Sequence, residues 1–183
     1  MEEKTYVDDI DRSLYDFRNE DKDAYRIQEG LTREIVEKIS REKHDPDWML
    51  EFRLKSLDIY NKLQVPNWGP SIDGLNMDNI VTYVRPNTNM QGKWEDVPED
   101  IKDTFDLAGG GAQYDSEVVY HNVRKEVEEQ GVIYTDMESA LNGPYAEMVH
   151  EHFMKLVPPT DHKFAALHGA VWSGGCTYSS TSF

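Results

Sequence analysis

The stretch Asp45 to Leu63, DPDWMLEFRLKSLDIYNKL, limits what this chain can become more than any other. Stepped at ~100° per residue, Trp48, Ile59, Phe52, Leu63, Met49 and Tyr60 fill roughly one third of a helical wheel, and Leu57, Leu50 and Leu54 widen that arc to about 240°. Only Glu51, Asp58, Lys62 and Lys55 remain on the wet side, as two acid-to-base i,i+4 pairs, Glu51–Lys55 and Asp58–Lys62. A helix so apolar belongs inside a fold, covered on two sides. Asp45 as N-cap, Pro46 at the first position and Asp47 at the positive end of the dipole mark its start.

The 183 residues suit one domain with a sizeable core. A net charge of −16 argues against nucleic acid or anionic membranes as partners, since both require clustered Lys and Arg. No apolar run reaches the ~18 residues of a membrane span, and the acidic start MEEKTYVDDIDRSLYDF lacks the basic and apolar regions of a signal peptide. The expected location is the cytoplasm. One cysteine, Cys176, excludes an internal disulfide framework or a Cys-rich metal site within a single chain.

Residues 1–30 read as a loosely ordered acidic arm with scattered aromatics (Tyr6, Tyr15, Phe17, Tyr25). The domain proper spans 31–175. Its first helix begins with Thr32 as cap and Leu31 and Val36 as a hydrophobic staple, and runs to about His44. After the central helix, residues 65–74 are dense in Pro and Gly and form a loop. Ile80 to Val84 has strand character, and Val97 to Phe105 reads as a short helix with Pro98 in its first turn. Leu107 to Ala112 is a flexible break. From Ser116 the spacing of Val119, Val123 and Val127 predicts a helix that stops at Gly131. Val132 to Tyr134 is a minimal strand, Asp136 caps a helical turn through Leu141, and Pro144 opens another helix that ends by Pro158-Pro159. Phe164 to Trp172 is buried whichever conformation it takes. Residues 176–183 form a Ser/Thr-rich tail with no period. The fold class is mainly α with a few short β-strands (α+β).

Candidate chemistry is sparse. His150 and His152 sit ~200° apart on a helix and cannot chelate one ion. His121 lies about a quarter-turn from Val118 on the expected helix and has no paired carboxylate or nucleophile, which favours a structural role. Gly109 to Gly111 precede a helix as phosphate loops do, but no Gly-Lys-Ser/Thr follows, so a hinge is the better reading. Arg53 falls inside the apolar arc. It could bind a ligand carboxylate, but a packed stem with its head paired to an acid suits the setting better. Cys176 has no basic neighbour in sequence to lower its pKa. The carboxylates are too numerous for any two to be chosen as an acid/base pair. No catalytic, cofactor-binding or metal-binding residue is assigned.

Several stretches together carry a resemblance: Gly30-Leu-Thr-Arg-Glu-Ile-Val-Glu-Lys-Ile-Ser40, Asp47-Trp-Met-Leu-Glu-Phe-Arg-Leu-Lys-Ser-Leu57, Pro66-Asn-Trp-Gly69, Val84-Arg-Pro86, Ala112-Gln-Tyr-Asp-Ser-Glu-Val-Val-Tyr-His-Asn122, Gln130-Gly-Val-Ile133, Val157-Pro-Pro159, Lys163-Phe-Ala-Ala-Leu167 and Ala170-Val-Trp-Ser-Gly-Gly175. In this order they resemble the N-terminal region of the SufB family, scaffold subunits of the SUF iron–sulfur cluster assembly system. The resemblance covers roughly residues 25–175 and implies a helical region without the parallel β-helix core of the family. It further implies a fragmentary, truncated member, not an enzyme, lacking the sulfur-accepting cysteine and the cluster ligands, with no cofactor of its own although the full-length family handles an iron–sulfur cluster. The implied partners, weakened or lost here, are the ATPase subunit SufC, SufD and a sulfur donor. Three departures stand out: Asp106 passes directly through Leu-Ala-Gly-Gly-Gly111, where the family has a further helical segment; His168-Gly169 replaces the usual Asn-Ser; and nothing after Gly175 matches, so Cys176 inherits no role. The alternatives are a small acidic protein-interaction module docking through residues 1–30, and, more remotely, a hydrolase with two carboxylates facing each other in a closed pocket.

Overall fold

A computed structural model describes residues 23–69, 71–76, 79–86, 110–114, 117–122, 129 and 131–180. The expected helix at 97–105, most of the acidic arm and the end of the tail lie outside the described residues.

Within them the chain is mainly α, with three two-stranded antiparallel sheets. Helix α1 (Arg33–Glu42) starts as expected: the Thr32 hydroxyl accepts from the Ile35 amide at 3.4 Å, and Leu31 and Val36 meet in one apolar cluster. Its end is a left-handed turn. Lys43 is the C-cap, His44 adopts φ 52°, and the His44 and Asp45 amides donate back to the Arg41 and Ser40 carbonyls. This is a Schellman motif with histidine where glycine is usual.

The turn delivers the chain into α2 (Asp47–Lys62). Here one expectation is corrected: the N-cap is Pro46, with no side-chain cap, because the Asp45 carboxylate is taken by Arg53. Helix α2 does lie inside. Met49, Arg53, Ser56 and Leu57 are buried, while Trp48, Phe52, Leu54 and Tyr60 are half-buried and pack on apolar clusters.

Residues 23–30, assigned by sequence to the loose arm, instead enter the fold. Strand β1 (Asp23–Arg26) pairs with β2 (Val84–Pro86), and Ile27 and Gly30 donate to the Tyr83 and Ile80 carbonyls. The strand expected at Ile80 to Val84 is therefore shifted toward Pro86, with its earlier half tied through those two bonds. Ile27, Ile35, Ile39 and Tyr83 form a core beneath it.

The clearest error of the sequence reading falls after Ser116. Where described, its first part is a strand, β4 (Glu117–Asn122), paired antiparallel with β3 (Gly110–Tyr114) with a register irregularity between Ala112 and Gln113; residues 123–128 lie outside the described residues. Valine spacing suggested a helix, but Glu117-Val-Val-Tyr-His-Asn122 is rich in β-branched and aromatic residues, which fit a pleated surface better. Gly110 and Gly111 are thus strand residues, and the flexible break does not extend to them.

Strand β5 (Val132–Asp136) leads into α3 (Met137–Asn142), capped by Asp136, whose carboxylate accepts from the Ser139 amide at 2.8 Å. Helices α4 (Ala146–His152) and α5 (Lys163–Val171) follow, and β6 (Cys176–Ser180) returns to pair with β5, Asp136 opposite Cys176. The first half of the Ser/Thr-rich tail is therefore a strand. Gly174 and Gly175, at φ 66° and 106°, make the reversal that brings it back.

Helix α5 packs on α2 through a seam of small residues: Ala165, Ala166, Gly169 and Ala170 are all buried. A Cβ on Gly169 would lie 2.6 Å from Ser56 Oγ and 3.3 Å from Phe52 Cε1. The Ser56 hydroxyl is held by the Phe52 carbonyl at 2.8 Å and cannot easily yield. Gly169→Ala should therefore destabilise the fold by about 1–3 kcal/mol, read as a lowered urea midpoint; an unchanged midpoint would contradict the close approach.

Candidate functional site

Arg53 projects from the buried side of α2, held by α2's apolar arc, and its guanidinium is fully enclosed. Nε donates to Asp45 Oδ2 at 2.6 Å, and Nη1 donates to the Trp172 carbonyl at 2.8 Å and the Ala170 carbonyl at 3.3 Å. The guanidinium carbon lies 4.6 Å from the Trp172 ring centre, and the Trp172 indole N–H points at Met49 Sδ. Nη2 and Asp45 Oδ1, both buried, make no hydrogen bond to another protein group. Burial pulls the Arg53 pKa down, and the Asp45 charge and hydrogen bond oppose that shift. Of the two roles open to Arg53, the structure shows the internal one. It braces three segments and presents no face to a ligand.

A second polar cluster surrounds a cavity of about 390 Å3 lined by Lys43, His44, Asp136, Glu138, Asn142 and Gly174 among others. Lys43, almost enclosed, pairs with Glu138 at 2.9 Å. Two carboxylates, Asp136 and Glu138, line this cavity. Asp136 caps α3 and Glu138 is paired with Lys43.

The remaining candidates separate. His150 packs against Trp48 with ring centres 4.4 Å apart and planes tilted by 48°, whereas His152 is exposed beside Glu151 at 4.0 Å. His121 lies on β4 opposite Gly111, so its expected helical neighbourhood with Val118 is replaced by a strand register. Exposed Cys176 lies on β6 beside β5, and its hydrogen bond with Tyr134, then partial burial, pushes the Tyr134 phenol up to about 12. Among the described residues no group of three or more His, Cys, Asp or Glu could hold a metal ion, and no helix is long and apolar enough to cross a membrane. The sequence reading missed the Lys43–Glu138 tie, 95 residues apart, for which no local signal exists. It found Arg53 through its place in the apolar arc but gave Asp45 to the wrong partner.

The fold is thus that of a mainly helical α+β unit whose buried charged groups serve as internal braces. Its relatives give that class a context. The chain is 47% identical over 178 residues to the iron-sulfur cluster assembly protein SufB of Bacillus subtilis, covering 91% of this chain and 38% of the relative. Iron-sulfur cluster assembly SufBD family proteins of Staphylococcus haemolyticus and Staphylococcus aureus are 47% and 46% identical with the same coverage. No family model matches. The chain is homologous to SufB and SufBD proteins and spans about 38% of the length of the curated relatives it matches.

Two outcomes follow. Asp45→Ala and Arg53→Ala should each cost about 3–5 kcal/mol, because each strands a buried charge, and the double variant should cost far less than their sum. A urea double-mutant cycle measures this coupling, and additive losses would show that the pair does not act as one unit. The second outcome concerns His168 on α5, which desolvation and then the Arg53 charge hold below its ordinary 6.5. The unfolded chain binds that proton more readily, so the stability contributed is complete above pH 6.5 and is lost as pH falls below it toward the folded value. His168→Gln should flatten this acid-side slope in urea midpoints taken across pH; coincident slopes would exclude His168 as its source.

Proposed function

We propose that this chain is the N-terminal, mainly helical region of a SufB-like scaffold, serving cytoplasmic iron–sulfur cluster assembly by positioning and interaction and without catalysis of its own. The observation that carries the reading is 47% identity over 91% of the chain. Its donor set supports the same view. One cysteine in 183 residues is too few thiolates for a cluster held by one copy of this chain. The cluster is cargo of the larger scaffold, and the sulfur-accepting and ATPase-binding functions belong to other parts of the family's chain. SufC, SufD and a sulfur donor are the partners of that assembly.

The test is a chimaera. Residues 25–175 replace the matching segment of Bacillus subtilis SufB in a strain depleted of its own SufB. Growth and cluster-enzyme activity should return, while residues 1–183 expressed alone should not restore them. A chimaera that folds and accumulates but restores nothing would refute the assignment. In parallel, anaerobic reconstitution of residues 1–183 with iron and sulfide should give no chelation-resistant cluster absorbance, with Cys176→Ser as the control for clusters bridged between two copies.

A further inference from the structure

Helix α5 is closed at its start by a side chain that can change charge. Its N-cap is His162, in extended backbone, and the ring Nδ1 accepts from the Ala165 amide at 3.1 Å. The Thr32 hydroxyl does the same for α1 by accepting from the Ile35 amide, but a hydroxyl does not titrate near neutral pH. An imidazole accepts at one nitrogen only while it is neutral, and donates from both once protonated. Asp161 Oδ2 stands 3.8 Å from His162 Nε2, which favours a proton there and leaves Nδ1 as the acceptor. A second proton can enter only at Nδ1, the atom that the Ala165 amide uses.

The charges around this ring decide what protonation does to the helix. Asp161 attracts an imidazolium, but its side chain is 58% exposed and water screens the attraction. Against it stand the positive end of the α5 dipole and Lys155, which lines one cavity with His162, His152 and His168. A proton on His168, farther along the same helix, adds charge near the buried Arg53 guanidinium and so acts against α5 from its other end. The first turn of α5 also holds a neighbour, since Lys163 Nζ donates to the Tyr60 and Leu63 carbonyls at the end of α2, at 2.8 and 2.9 Å. Trp68, from the loop after α2, meets the His162 ring with centres 5.6 Å apart.

We propose that His162 is a pH-sensitive latch on the first turn of α5. Neutral, it closes that turn and with it the tie from Lys163 to the end of α2. Protonated, it opens both, while the seam of Ala165, Ala166, Gly169 and Ala170 keeps the rest of α5 on α2. The latch is independent of the scaffold assignment.

Amide hydrogen exchange of the full chain, followed by NMR at about pH 7.5 and about pH 5.5, reads the latch on either side of the ordinary histidine range. The Ala165 protection factor, corrected for the intrinsic pH dependence of exchange, should fall about fivefold on acidification, the worth of one cap. The Ile35 amide, held by the Thr32 hydroxyl, should keep its protection. His162→Asn supplies a cap that does not titrate, so Ala165 should stay protected at both pH values. His168→Gln should retain the fall, which separates the latch from the stability effect of that residue. Nitrogen NMR of the His162 ring should show the Nε2–H tautomer at about pH 7.5. Unchanged Ala165 protection, a loss shared equally by Ile35, a fall that persists in His162→Asn or vanishes in His168→Gln, or an Nδ1–H tautomer would each overturn the proposal.

Discussion

The fold hangs on one buried guanidinium. Arg53 sits on α2, takes the Asp45 carboxylate from the turn before it, and donates to two carbonyls at the end of α5 more than a hundred residues later. Taking both charges out of water is expensive, so the intact pair adds little net stability while the loss of either partner is costly. Its geometric consequence is clear. The Schellman turn at His44 aims Asp45 inward, Arg53 fixes Trp172 relative to that turn, and Gly174 and Gly175 then reverse the chain so that β6 meets β5. A leucine at position 53 could fill the space but could not specify where the chain leaves α5.

Around that brace the packing is continuous. Met49 and Trp172 belong to a cluster with α3 and α4, Leu57 and Ala170 to one with Val36 of α1, and Val171 touches the core formed by Ile27, Ile35 and Tyr83. Helices α2 and α5 contribute to both of the larger-scale contacts, and they can do so because Gly169 and its alanine neighbours let the two backbones approach. The half-buried Trp48 and Phe52 show that the 240° apolar arc of α2 finds its cover within the described residues, with T-shaped contact from Phe153 at 5.3 Å.

What could be read from sequence divides along the range of the forces involved. Thr32 and Asp136 as caps, the Leu31–Val36 staple, the interior position of α2 and the burial of Phe164 to Trp172, except for the exposed Phe164 and His168, all follow from residues within a turn or two of one another. The failures need distant partners. Asp45 was a plausible cap until Arg53 competed for it, residues 23–30 looked loose without the 80–86 segment that pairs with them, and Cys176 to Ser180 had no pattern because its strand exists only against β5. The helix expected from Ser116 failed for a different reason: valine spacing was weighed above β-branched and aromatic content. The candidate site was legible mainly as an absence of motif, and the Lys43–Glu138 tie was beyond reach.

These internal ties also bear on function. Of the buried charged groups the sequence offered only Arg53 as a possible ligand contact, and Arg53, Lys43, Asp45, Asp136 and Glu138 are each bonded to another group of the same chain. A charged group already bonded inside a fold cannot turn to a substrate without breaking that fold. What such a fold leaves for other molecules is its surface, in a chain whose net charge is −16.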